Sequence, residues 1–135
     1  MRSLFLSLLL SAVFVLPAGA AVDTSKLQLP GDITLEQART VVEGALEFAK
    51  KQGVPMNITV VDAGGNLKAF CRMDGAFLGS IDISQKKAVT ARRFNMSSAE
   101  LGALAQPGKE LFGIEATNGG LAIFGGGELL RDRKG

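Results

Sequence analysis

Four cations sit within one short stretch of this sequence: Lys86, Lys87, Arg92 and Arg93. On a helix running from about Ile81 to Phe94, Lys86 and Arg93 are two turns apart on one face. There they can meet and grip a carboxylate or propionate. The plainer reading of the same residues is a solvated face whose cations are favoured by the helix C-terminus. Arg72, Met73 and Asp74 mark a strand-to-turn junction, where sites are often built and where Arg–Asp pairs also simply hold turns. Glu115 to Asn118 forms a further polar cluster. Gly125-Gly126-Gly127 is followed by Glu128-Leu129-Leu130 and by no Lys-Ser/Thr pair, so it reads as a turn or bulge and not as a phosphate loop. Spacing alone marks none of these as an acid/base pair, so no catalytic residue and no metal site is assigned.

The missing residue types narrow the chemistry further. The 135 residues include no His, Trp or Tyr. Imidazole-based triads, HExxH zinc sites and His-ligated haem are therefore excluded. A single Cys, Cys71, cannot form an internal disulfide. Fifteen basic residues against 13 acidic ones leave a net charge of +2. That near-balance, with no Tyr or Trp stacking platform, argues against nucleic acid as a partner. The length suits one domain, and 47% hydrophobic residues are too many for a disordered chain.

Residues 1–20 read as a secretory signal: Met1-Arg2-Ser3, an apolar run from Leu4 to Leu16, then Pro17 and the small residues Ala18-Gly19-Ala20. The run is well short of the roughly 20 residues that a membrane-spanning helix needs. The expected product is a periplasmic or secreted protein with no membrane span after signal cleavage. Residues 21–33 read as a linker.

The elements that must hold the candidate residues follow. Thr34 and Gln37 form a capping box at the head of an amphipathic helix that ends at Gly53 and Pro55. Met56 to Asp62 alternates as a strand, Ala63 to Asn66 turns, and Leu67 to Met73 alternates back, giving an antiparallel hairpin. Cys71 falls on the face of Leu67 and Ala69, so a buried structural thiol is favoured. Ser80 is the expected cap of the cationic helix, whose Ser84, Ala88 and Ala91 form a small-residue stripe. Ser97 and Glu100 cap a short third helix that Pro107-Gly108 stops. Leu121 to Phe124 and Glu128 to Arg131 read as two further strands, and Asp132 to Gly135 as the start of a turn. This order predicts an α+β sandwich with an antiparallel sheet.

A resemblance adds to this reading. Ile58 to Asp62, Gly65-Asn66-Leu67 and Arg72 to Ala76 come in a familiar order. Ser80 to Ala88, Leu111 to Gly120 and Ile123 to Gly127 follow. Together they resemble the GlcG/HbpS family of haem-binding, or haem-degrading, domains across residues 34–135. The resemblance implies a profilin-like or PAS-like antiparallel sheet with helices on both faces, and assembly into homo-oligomers. Relatives usually continue into another strand and a last helix. Their absence here implies a C-terminally truncated domain with an open sheet edge, poorly stable alone.

The resemblance also implies haem as cofactor, in an exported protein that assists haem sequestration, degradation or sensing, with a sensor kinase as a candidate partner. The candidate binding residues are then Arg72, Met73, Asp74, Lys86, Lys87 and Arg93, together with Thr90, Glu115 and Asn118. Without His, the axial ligand falls to Met56, Met73, Met96, Cys71, a hydroxyl such as Thr90, or nothing. The alternatives are a non-catalytic oligomeric or sensor-partner module, or a glycolate-linked small-acid accessory protein without haem.

Overall fold

The structure, a computed structural model, describes residues 31–131. The expected signal segment, most of the linker and the turn at 132–135 lie outside those residues.

Helix α1 spans Leu35–Gln52. Both halves of its capping box form: Thr34 Oγ1 accepts from Gln37 N–H, and Gln37 Oε1 accepts from Thr34 N–H. Gly53 ends it in the left-handed region at φ 68°, where a residue without Cβ is unstrained. Its apolar stripe puts Ala38 and Val42 against Val60 of the hairpin. Burying a valine of this kind is worth about 1.5–3 kcal/mol relative to exposure.

Strands β1 (Asn57–Val61) and β2 (Leu67–Arg72) pair antiparallel, with a register irregularity between Val60 and Val61. Ile58, Val60, Ala69 and Cys71 face α1. Cys71 is only half-buried there. The hairpin turn is held by Asp62, whose Oδ1 accepts from the N–H groups of Gly64 and Asn66 at 2.8 Å each. Those donors, the Asn66 N–H first, hold the Asp62 carboxyl below its ordinary range. Arg92 Nε donates to Ala63 O at 2.7 Å and ties the same turn to the second helix.

That helix, α2 (Ser80–Phe94), covers the other face of the hairpin. Ser84 Oγ donates to Ile81 O and lies 2.9 Å from Thr59 Oγ1 of β1. A hydroxyl has one proton, so Thr59 is the donor to Ser84. The cap differs from the expectation: Gly79 is the N-cap, and Ser80 is the first helical residue. The turns Ser80 N–H to Phe77 O and Ile81 N–H to Leu78 O start the coil one residue early. Helix α3 (Ser98–Leu104) has the predicted capping box of Ser97 and Glu100.

The α+β architecture with helices on both sheet faces is as expected. The two late strands depart from expectation. Leu121–Phe124 and Glu128–Arg131 run without ladder partners. Backbone groups of the first of them, and of Gly127 between the two, are taken instead by helix side chains. Thr90 Oγ1 accepts from Ala122 N–H at 3.1 Å. Ser98 Oγ donates to Phe124 O at 2.7 Å and accepts from Gly127 N–H at 2.9 Å. The sheet among the described residues therefore has two strands. Met73 N–H donates to Met56 O, which fixes the hydrogen-bond phase of the ladder. By alternation, Asn57 and Thr59 turn their backbone groups to the outer edge of β1.

Candidate functional site: a groove between the first strand and the cationic helix

The segment from Asn118 to Gly127 runs back along α2, antiparallel to it. Arg93 Nη1 donates to Asn118 O at 3.0 Å, Thr90 holds Ala122, and Lys87 reaches Phe124. Gly127 comes so close to the Lys87 carbonyl that no side chain fits there. Between this segment, the first half of α2 and the outer edge of β1 lies a groove of about 450 Å³. Its walls are mostly apolar: Val54 and Met56 on one side, Phe77 and Ile83 on another, and Phe124 opposite. Phe77 is 82% exposed, so the rim presents a large free aromatic face.

Two polar groups stand out in this lining. Lys87 Nζ lies 4.1 Å from the Phe124 ring centroid, a cation–π contact. No carboxylate pairs with it among the described residues. Partial burial pushes its pKa below the ordinary lysine value. The second group is Asn57, only 9% exposed. Its Nδ2 donates to Phe77 O at 3.0 Å, but its Oδ1 is buried with no partner among the described residues.

The sequence candidates do not form one cluster. Lys86 and Arg93 do not join over a shared ligand: Lys86 Nζ pairs with Asp82 Oδ2 at 2.9 Å, and Arg93 is held by Asn118 O. Of the four helix cations, Lys87 is the one that lines the groove. Thr90 is fully buried and its hydroxyl is engaged by Ala122, so it does not open to a ligand. Arg72 and Asp74 are exposed at the end of β2, outside the groove. Met73 turns its sulfur to the N–H of Met56 at 3.4 Å. Asn118 sits near the C-terminal end of α2, held by Arg93, and Glu115 Oε2 is buried without a partner among the described residues. Among the sulfur atoms named for axial ligation, Met56 is the one in the groove lining.

Sequence reasoning missed Asn57, Phe124 and the clamp residue Ser98. Asn57 gave no signal beyond a polar residue at a strand start. The diversion of Lys86 was readable, since Asp82 stands four residues before it.

The residues present suit a flat apolar ring with acidic substituents. The walls supply apolar contact, Lys87 supplies a cation with no carboxylate partner among the described residues, and Met56 supplies a thioether. Comparison with known proteins points the same way. The chain is 39% identical over 104 residues to a 15.0 kDa protein from the dhaT–dhaS intergenic region of Citrobacter freundii, covering 76% of this chain and 73% of that one. The crystal structure of a PduOC–heme complex superposes with a TM-score of 0.67 at 33% identity, covering 70% of this chain and 69% of that chain. The crystal structure of a double mutant of Streptomyces reticuli HbpS gives a TM-score of 0.66 at 31% identity, covering 87% of this chain and 79% of that chain. Residues 33–135 match the family described as haem degrading protein HbpS-like, and the chain belongs to that family.

Proposed function

We propose that this protein binds haem, or a closely similar tetrapyrrole, in the groove between β1, α2 and the Phe124–Gly127 segment. The observation that carries the reading is Lys87. Its ammonium is partly desolvated, has no carboxylate partner among the described residues, and stands beside an apolar slot. A propionate at Lys87 restores a partner to that charge, while the ring rests on Phe77, Ile83 and Phe124. Met56, the methionine in the groove lining, would be the candidate thioether ligand to the iron. Bound haem supplies the redox-active iron, and the chain supplies orientation and partial exclusion of water.

Export belongs to the same proposal and rests on the signal pattern of residues 1–20. None of the described helices is long and apolar enough to cross a membrane. We also assign the protein to a homo-oligomer that works beside a sensor kinase. Support for assembly comes from large apolar side chains left outside the core, such as Phe48, Phe77, Leu78 and Phe112. Haem titration of residues 21–135, followed by the absorption spectrum, tests the binding reading. Saturable binding with a shifted Soret band is expected. A spectrum identical to free haem at all ratios overturns it.

A further inference from the structure

We infer that Ser98 is the positioning residue for Lys87: by closing the Phe124–Gly127 loop it holds the ammonium in place before the acidic ligand arrives. The inference rests on the tetrapyrrole reading and adds a residue that sets affinity without touching the ring. Ser98 is fully buried and lies outside the groove lining. Three hydrogen bonds tie it to this one short loop. Its Oγ donates to Phe124 O at 2.7 Å and accepts from Gly127 N–H at 2.9 Å. Its own N–H donates to Gly127 O at 2.9 Å. The hydroxyl acts as donor and acceptor at once, so both ends of the loop close on a single oxygen. Alanine removes both of those bonds together.

The closed loop shapes the seat of Lys87. At one end Phe124 sets its ring 4.1 Å from Nζ. In the middle, Gly126 runs so near the lysine that a Cβ there would lie 3.1 Å from Nζ and 3.6 Å from Cδ. At the other end Gly127 abuts the Lys87 carbonyl. The side chain therefore lies between an aromatic face and bare backbone. Ordering a free lysine costs conformational entropy, and a seat that imposes the order beforehand removes that cost from binding. With the loop open, the cation remains but must be ordered by the ligand itself.

The test is a double-mutant cycle of Ser98→Ala and Lys87→Met, read by haem titration at the Soret band. Ser98→Ala is expected to weaken binding roughly threefold in the wild-type background and to have no effect in the Lys87→Met background. A merely structural serine produces no such dependence on Lys87. Proton NMR supplies a second readout. In wild type the Lys87 Cε methylene is expected to be shifted upfield by the Phe124 ring, and in Ser98→Ala to return toward the ordinary lysine position. An equal loss of affinity in both backgrounds, or no loss in either, overturns the positioning role and leaves the tetrapyrrole reading standing. Where Ser98→Ala does not fold, the wild-type resonance decides: an unshifted Lys87 methylene overturns the positioning role. Absence of haem binding in wild type overturns both.

Discussion

The ammonium of Lys87 lies 4.1 Å from the centroid of the Phe124 ring, and the two residues come from elements 37 positions apart in the sequence. The ring is brought there by Ser98, which holds the Phe124 carbonyl, and by the close approach of Gly127 to the Lys87 backbone. This contact replaces an ion pair with a soft, polarisable partner and leaves the charge open to an incoming anion.

Lys87→Met is expected to weaken binding of an acidic tetrapyrrole about tenfold, near 1.4 kcal/mol, and to leave the fold intact. Equilibrium titration with haem, alongside thermal unfolding of both proteins, checks this.

The same residue sets a pH dependence. Burial lowers the Lys87 pKa, so its ammonium is lost at a lower pH than that of a free lysine. Binding through the charge is full below that lowered value and falls as pH rises through it, before the ordinary 10.5 is reached. Affinity measured across the alkaline range is expected to drop in wild type. Lys87→Arg is expected to hold its affinity to higher pH.

Thr90→Val separates a structural role from a ligand role. It removes the acceptor for the Ala122 N–H and keeps the side-chain volume nearly constant. A loss of about 1–3 kcal/mol is expected for the buried donor left unpaired. Chemical denaturation measures the loss. Haem affinity of the folded fraction is expected to be unchanged.

Gly102→Ala tests the seat of the returning segment. In an open helix this change gains about 1 kcal/mol. Here the new Cβ meets the Ile123 carbonyl, so backbone must move. Overpacking of this kind costs about 1–3 kcal/mol, and the net sign is destabilising. A lowered denaturation midpoint is the expected result.

Asp62 gives an acid limb to stability. Its folded pKa lies below the unfolded value, so its contribution is complete above the ordinary carboxylate range and is lost as pH falls through the lowered folded value. Asp62→Asn is expected to flatten stability against pH in that acid window, as thermal melts at graded pH report.

The parts legible in the sequence were those fixed by neighbours in the chain. The capping boxes at Thr34 and Ser97, the Gly53 stop and the hairpin about Gly64-Gly65 each depend on residues a few positions apart. The strands expected at Leu121–Phe124 and Glu128–Arg131 failed for the opposite reason. An apolar run does not state what takes its hydrogen bonds, and for Ala122, Phe124 and Gly127 they go to Thr90 and Ser98, some 30 residues earlier. The site shows the same limit. The cationic helix was visible, but Lys87 differs from Lys86 only through distant partners. Asn57 stands out through its burial, with Oδ1 lacking a partner among the described residues, and neither property is written in the sequence.

The most direct test of the central claim is a haem titration of wild-type and Lys87→Met protein, read at the Soret band under identical conditions. Saturable binding and a shifted band are expected in wild type, with affinity about tenfold weaker in the variant. Unshifted haem spectra in wild type, or equal affinity in the two proteins, would contradict the role given to Lys87 and its groove.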